Sequence, residues 1–350
     1  MSGNPGDASL RPVAQWGRRL ADGVRAALAE GNRGAACRLA QQGDGQARDL
    51  AREYALMARG LGITLLVMLR LLMQRADRGA DDGAATAAAS DDLTELLAKL
   101  LAGLTRAARR ESSDGGQAAA PADLAQACEQ ALTVGLQTFA TDQAQRAAAV
   151  VQALRSAAND APRQALDQLD AKDEAWLELH DPMVRFMADA MAWVLRHRGP
   201  EALLEYHMAT AEGQRAGFDK WEQMSAREFA ATTAFLLQQH MGRVQVNEDG
   251  EKFTIRQSPC GSGGRLRLMG AYQGAQALPF VQEASPLTFG QPEVPVYCSH
   301  CAVWNGTATL RWYGRAHWVF SDPARADGGC ILHIYKRRQD APAEYTRRVT

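Results

Sequence analysis

The stretch Arg243-Val244-Gln245-Val246-Asn247-Glu248-Asp249-Gly250-Glu251-Lys252-Phe253-Thr254-Ile255-Arg256 divides the chain into two vocabularies. Polar and apolar residues alternate through Arg243-Val246 and again through Lys252-Arg256, the period of a strand with one buried face. Asp249-Gly250 between them is a pair that tight hairpin turns favour, because these residues tolerate positive φ. Before about residue 242 alanine, leucine, glutamine and arginine dominate, and glycine and proline mark only the breaks. After it, β-branched and aromatic residues alternate among frequent glycines and prolines. The expected fold class is α+β: an N-terminal helical bundle, then a helix-covered antiparallel sheet of about five strands.

Upstream of the hairpin, Ser225 with Glu228 three residues on forms a capping box that opens a helix to His240. A helix is expected over Pro200 to Lys220. Another runs from Glu174 to Arg198, with Trp176, Leu179, Val184, Met187, Met191 and Val194 near helical spacing, and Gly199-Pro200 ends it. Pro182 predicts a local break, with Asp181 capping the segment after it. Nearer the start, Pro12 to Glu30 carries an apolar stripe of Val13, Trp16, Leu20, Val24, Ala27 and Leu28. Further helices are expected over Ala47 to Arg75, Asp92 to Arg110 and Ala122 to Asn159, with Pro162 opening a shorter one. Flexible linkers are expected at 76–91 and 111–121. The domains read as a helical extension over 1–172 and an α+β domain over 173–350. The extension suggests a bundle, or a homodimer paired through these N-terminal helices.

Downstream, Thr309-Leu310-Arg311-Trp312-Tyr313 and His317-Trp318-Val319-Phe320 predict a second hairpin turning at Gly314-Arg315. Cys330-Ile331-Leu332-His333-Ile334-Tyr335 alternates and reads as the last strand.

With 39 basic and 40 acidic residues, the charge balance offers nothing to attract nucleic acid. Leu61 to Leu69 is too short an apolar run to span a bilayer, so no membrane partner is expected. The first residues show neither a basic n-region nor an apolar h-region. The resulting expectation is a cytoplasmic protein, where clustered cysteines serve metal or redox chemistry more often than structural disulfides.

Four of the six cysteines, Cys260, Cys298, Cys301 and Cys330, fall in the last quarter of the chain. Cys298 and Cys301 have the C-x2-C spacing of a zinc knuckle, and Cys260 and Cys330 are candidates for the other two places in a tetrahedral site. His300 is a rival fourth ligand, although residues inside a knuckle usually point away from the metal. Two other readings stand beside zinc: a redox pair opening a helix after Val294-Pro295-Val296-Tyr297, and ordinary buried cysteines. The loop Gly261-Ser262-Gly263-Gly264 followed by Arg265 could form an anion-holding nest, or a tight turn that lets Cys260 approach a metal.

Tyr297, Trp304 and Trp312, with Arg265, are candidates to wall an apolar ligand pocket, and they equally suit the core of a small sheet. If the protein is an enzyme, His300 and His180 are the candidate general bases. No His-Glu-x-x-His and no Gly-x-Ser-x-Gly motif occurs.

The segments Ser258 to Arg265, Tyr297 to Cys301 and Cys330 to Lys336 together resemble bacterial proteins with the same cysteine layout. Gly328-Gly329-Cys330 leading into a strand is similar to the end of 4-vinyl reductase-type domains. It is also distantly similar to the aminothiazoline carboxylic acid hydrolase-like family. The 4-vinyl reductase resemblance implies a small-molecule-binding domain that holds zinc through cysteines, and it carries over onto Cys330 alone. The cysteine pair here lies earlier than in those domains, and the resemblance does not reach residues 1–172. The sequence thus leads to a zinc-containing sensor or carrier of a small apolar or aromatic molecule. The alternative is a metal- or cysteine-dependent hydrolase.

Overall fold

The computed structural model describes residues 12–42, 141, 144–156, 158, 160–337 and 340–350. The helices expected over Ala47 to Arg75 and Asp92 to Arg110, and the linkers at 76–91 and 111–121, lie outside the described residues. The chain divides into two compact units: one holds the described residues of 18–42 and 141–183, the other 12–17 and 184–350. No helix among the described residues is long and apolar enough to cross a membrane.

In the first unit α1 (Leu20–Ala29) and α2 (Arg33–Ala40) form a helical hairpin. Gly31, at φ 71°, makes the turn, and the Asn32 side chain accepts the Ala35 N–H to cap α2. Small residues let the helices close up: Ala21, Ala27, Ala36 and Ala40 pack with Val24, and with Val150, Ala153, Leu154, Ala165 and Leu169. Arg25 reaches Asp170 at 2.6 Å and Asp173 at 3.1 Å along the edge of this core.

The apolar stripe from Val13 to Leu28, which reads as helical in the sequence, does not form a single helix. A 3₁₀ turn (Val13–Gln15) precedes α1, and Trp16 belongs to the second unit, where its ring lies 5.4 Å from Phe253. The break falls at Gly17, because a Cβ there would overlap the Val244 carbonyl.

α3 (Ala161–Gly213) starts in the first unit and ends in the second. Pro182 does not break it. The one non-helical residue inside is Gly199, at φ 84°, and Pro200 restarts the helix with its φ already set.

In the second unit α4 (Arg215–Glu222) leads to α5 (Ala226–Gln239), which opens on the full Ser225–Glu228 capping box. Then come β1 (Val244–Glu248) and β2 (Lys252–Gln257), paired as the expected hairpin. α6 (Gly263–Leu268) follows, and β3 (Phe280–Val281) pairs with β4 (Val294–Pro295) in a separate ladder. β5 (Val319–Asp322) and β6 (Cys330–Tyr335) complete the main sheet, which is antiparallel, in the order β1-β2-β6-β5. It has four strands rather than about five. The missing one is Thr309–Tyr313, a helix here.

The residues after Tyr297 instead wind continuously: α7 (Ser299–Ala302), a π-helical turn (Val303–Ala308) and α8 (Thr309–Tyr313), stopped by Gly314 at φ 72°. Thr309 is fully buried and its hydroxyl donates back to the Asn305 carbonyl at 2.8 Å, so the β-branched residue is satisfied inside the helix. The core joins Phe229, Ala230, Ala234 and Leu237 of α5 to Val244, Val246, Phe253, Ile255, Leu332 and Ile334 of the sheet.

Candidate functional site

Cys260 and Cys330 are brought together by strand register. Gln257, at the end of β2, faces Cys330, the first residue of β6. Three residues beyond Gln257, the Cys260 N–H donates to the Gly328 carbonyl at 2.9 Å. This close crossing requires glycine: a Cβ on Gly264 would overlap the Gly328 carbonyl, and one on Gly261 would overlap that of His240. The same loop backs onto the knuckle, since a Cβ on Gly263 would lie 3.1 Å from Cys298 Sγ. Cys298 and Cys301 sit about one turn apart where the 3₁₀ turn Val296–Cys298 runs into α7. Cys330 is buried, and the other three are half-buried. Cys298, Cys301 and Cys330 all belong to or pack on the core of the second unit.

Each sulfur has a polar neighbour. Gln257 Nε2 donates to Cys330 Sγ at 3.0 Å, and Arg267 Nη1 to Cys298 Sγ at 3.8 Å. Ser262 Oγ lies 3.6 Å from Cys260 Sγ, and His300 Nε2 lies 3.3 Å from Cys301 Sγ. The sulfurs also affect one another. Burial, opposed by Arg267 and reinforced by Cys260, pushes the Cys298 thiol up to about 11. Burial, then Cys260, Cys298 and Cys330, pushes Cys301 well above the usual thiol range. Cys330 rises in the same way through burial, Cys260 and Cys298. Without a cation these three thiols stay protonated at neutral pH.

His300 Nδ1–H donates to the Tyr297 carbonyl, which leaves the Nε2 lone pair facing Cys301. The side chain therefore does not point away from the sulfurs, as its position inside the knuckle suggested. Its ring packs between Tyr297, at 4.6 Å, and Trp304, at 5.0 Å. Burial is the main cause that lowers its pKa to about 4, so it is neutral. Behind it, His207 Nε2 lies 2.8 Å from Ser299 Oγ.

The other sequence candidates distribute differently. Tyr297 and Trp304 flank His300, and Trp304 Nε1 donates to Thr210. Trp312 packs instead with Phe218, Tyr313 and the Arg215 guanidinium. Arg265 lies on α6, its N–H bonded to the Cys260 carbonyl. His180 is fully buried in the first unit, beside Trp176 and Asp181. An apolar hollow in the second unit is lined by other residues, among them Phe289, Ala302, Gly306, Trp318 and Phe320. Sequence reasoning missed Gln257 and Arg267. Gln257 was findable only from the register that sets it opposite Cys330, and Arg267 had no signal.

Among the described residues no group of three or more His, Cys, Asp or Glu side chains is arranged to hold a metal ion as it stands. The four thiols come from three segments and influence one another electrostatically, and two of them have N–H donors on sulfur. No protein-family model, no curated protein and no solved structure matches the chain.

Proposed function

We propose that the second unit is a small-molecule-binding module stabilised by zinc at Cys260, Cys298, Cys301 and Cys330. One observation carries the metal half of this reading: four cysteines from three separate segments lie within electrostatic reach of one another, and three resist ionisation on their own. A nucleophilic cysteine needs a lowered pKa, which this surrounding denies it. A dication reverses the balance by binding the thiolates directly. The sulfurs must draw inward to coordinate it. The ligand half rests on the resemblance of Gly328-Gly329-Cys330 to the end of 4-vinyl reductase-type domains, and the small hollow near Phe289, Trp318 and Phe320 would have to open to admit a ligand. Pairing with a second copy through the N-terminal helices completes the proposal as a sensor or carrier.

A second reading, a cysteine-dependent hydrolase, has the 3.3 Å approach of His300 Nε2 to Cys301 Sγ in its favour. Metal analysis with thiol titration separates the two. About one zinc per chain and four protected thiols support the module. Zinc removal should then lower the melting temperature sharply, and Cys298→Ser should mimic that loss. A metal-free chain with Cys301 reacting fastest would overturn the zinc reading and favour the hydrolase.

A further inference from the structure

On the ligand reading above, we infer that the apolar hollow of the second unit is a closed binding site for a small apolar molecule, and that the segment 342–350 is its removable cover. Phe289, Ala302, Gly306, Trp318 and Phe320 form the floor, and Tyr345, Arg348 and Val349 close it. With about 10 Å³ to spare, the closed hollow holds at most a single water.

The floor is firmly held. Phe289, Ala302, Trp318 and Phe320 belong to the hydrophobic core. Phe289 sits at φ 54°, a left-handed conformation that a bulky residue keeps only where its surroundings impose it. Its ring lies 4.7 Å from that of Phe320. Such backbone outliers concentrate at ligand clamps and active sites. Gly306 lies in the π-helical turn Val303–Ala308, a second irregularity of the kind often found at functional sites.

The cover is held more lightly. α9 (Ala343–Arg347) has five residues, no side-chain cap and no buried residue, so it adds little stability of its own. After it, Val349 is buried, and its side chain lies so close to Gly306 that an added Cβ there would come within 3.0 Å. The Thr307 hydroxyl donates to the Val349 carbonyl at 2.7 Å. Arg348 lies against Gly290 and over the Tyr345 ring, which belongs to the cover itself. Val349 thus fills part of the hollow as a tethered apolar group. It marks the kind of group the floor accepts, a compact aliphatic or single-ring one against aromatic walls. Release of 342–350 leaves every floor residue in place. The open form then binds, and the observed affinity is the intrinsic one reduced by the open fraction.

The test uses the full chain with toluene as the probe. Binding is followed by ligand-observed NMR, and opening by hydrogen exchange read by mass spectrometry. In the wild type the amides of 342–350 should exchange well ahead of those in β2 and β6. Toluene should speed exchange in 342–350 and leave β2 and β6 unchanged, because it holds the cover off. Thr307→Val removes the hydroxyl that anchors the cover, and Val349→Ala withdraws two methyl groups from the hollow. Each should raise the open fraction and tighten toluene binding by about 3- to 10-fold. If Thr307→Val fails to fold by circular dichroism, Val349→Ala carries the comparison. Toluene bound equally by the wild type and both variants, with exchange in 342–350 unaltered, overturns the cover and leaves the ligand reading standing at another place. No toluene binding by any of them, even where a variant speeds exchange in 342–350, overturns the site and the ligand reading together.

Discussion

His207 Nε2 stands 2.8 Å from Ser299 Oγ, and Ser299 gives its only hydroxyl proton to the Val296 carbonyl at 2.6 Å. The hydroxyl must therefore accept, which fixes the proton of this neutral imidazole on Nε2. Both residues are fully buried. The bond ties α3 to the centre of the Cys298-Ser299-His300-Cys301 turn, so helix and knuckle share one hydrogen-bonded chain.

Ser299→Ala removes both hydrogen bonds and leaves the His207 N–H unsatisfied in the interior. A loss of about 1–3 kcal/mol is expected, read from urea unfolding followed by tryptophan fluorescence. Unchanged stability would show that the bond contributes nothing. Ser299→Thr keeps the hydroxyl and should lose less.

Acid should loosen the second unit before its carboxylates titrate. Burial holds His207 well below the ordinary imidazole value, and burial, reinforced by Lys252, lowers His333 to about 4. Both are thus neutral in the fold, while the unfolded chain protonates them near 6.5. Their contribution is complete above about 6.5 and shrinks as pH falls from there toward about 4. Melting temperature should rise with pH across that window, from about 4 to about 6.5. A flat curve would mean that these imidazoles protonate as easily folded as unfolded. His333→Asn should flatten part of the slope.

Gly264→Ala places a methyl group against the Gly328 carbonyl, and backbone cannot yield as a side-chain tip does. A cost of about 3 kcal/mol or more is expected. Gly217→Ala is the control. It lies in α4 with nothing within 4 Å of the added Cβ, so it should be neutral or stabilising by roughly 0.5–1 kcal/mol. Equal effects from the two would remove the close-approach argument for the glycine loop.

Local chemistry made several elements readable in advance. Asp249-Gly250 and Ser225–Glu228 act through their own backbone neighbours, so the hairpin and the start of α5 follow from short stretches. Alternation in Cys330–Tyr335 marks β6 because Cys330, Leu332 and Ile334, on one face, meet the core. Thr309–Tyr313 misleads for the opposite reason. Its β-branched and aromatic residues favour a strand, yet the preceding helical turns and the Thr309–Asn305 bond hold it as helix. Trp16 and Gly17 misread as helix interior because the constraint is the distant Val244 carbonyl. The grouping of the cysteines could be suspected from spacing. Their donors Gln257 and Arg267 could not, since register and loop geometry place them.

β6 is the last strand in chain order but a central one in the sheet, between β2 and β5. Gln257 and Cys330, which face each other across the ladder, are 73 residues apart. On a growing chain β2 therefore waits with one bare edge, open to strands of other chains, until that interval has emerged. Arrival of β6 seals the edge and delivers Cys330 beside Cys260 in a single event. Protection from aggregation and assembly of the sulfur group thus share one moment in biosynthesis, and a nascent chain halted before it would lack both.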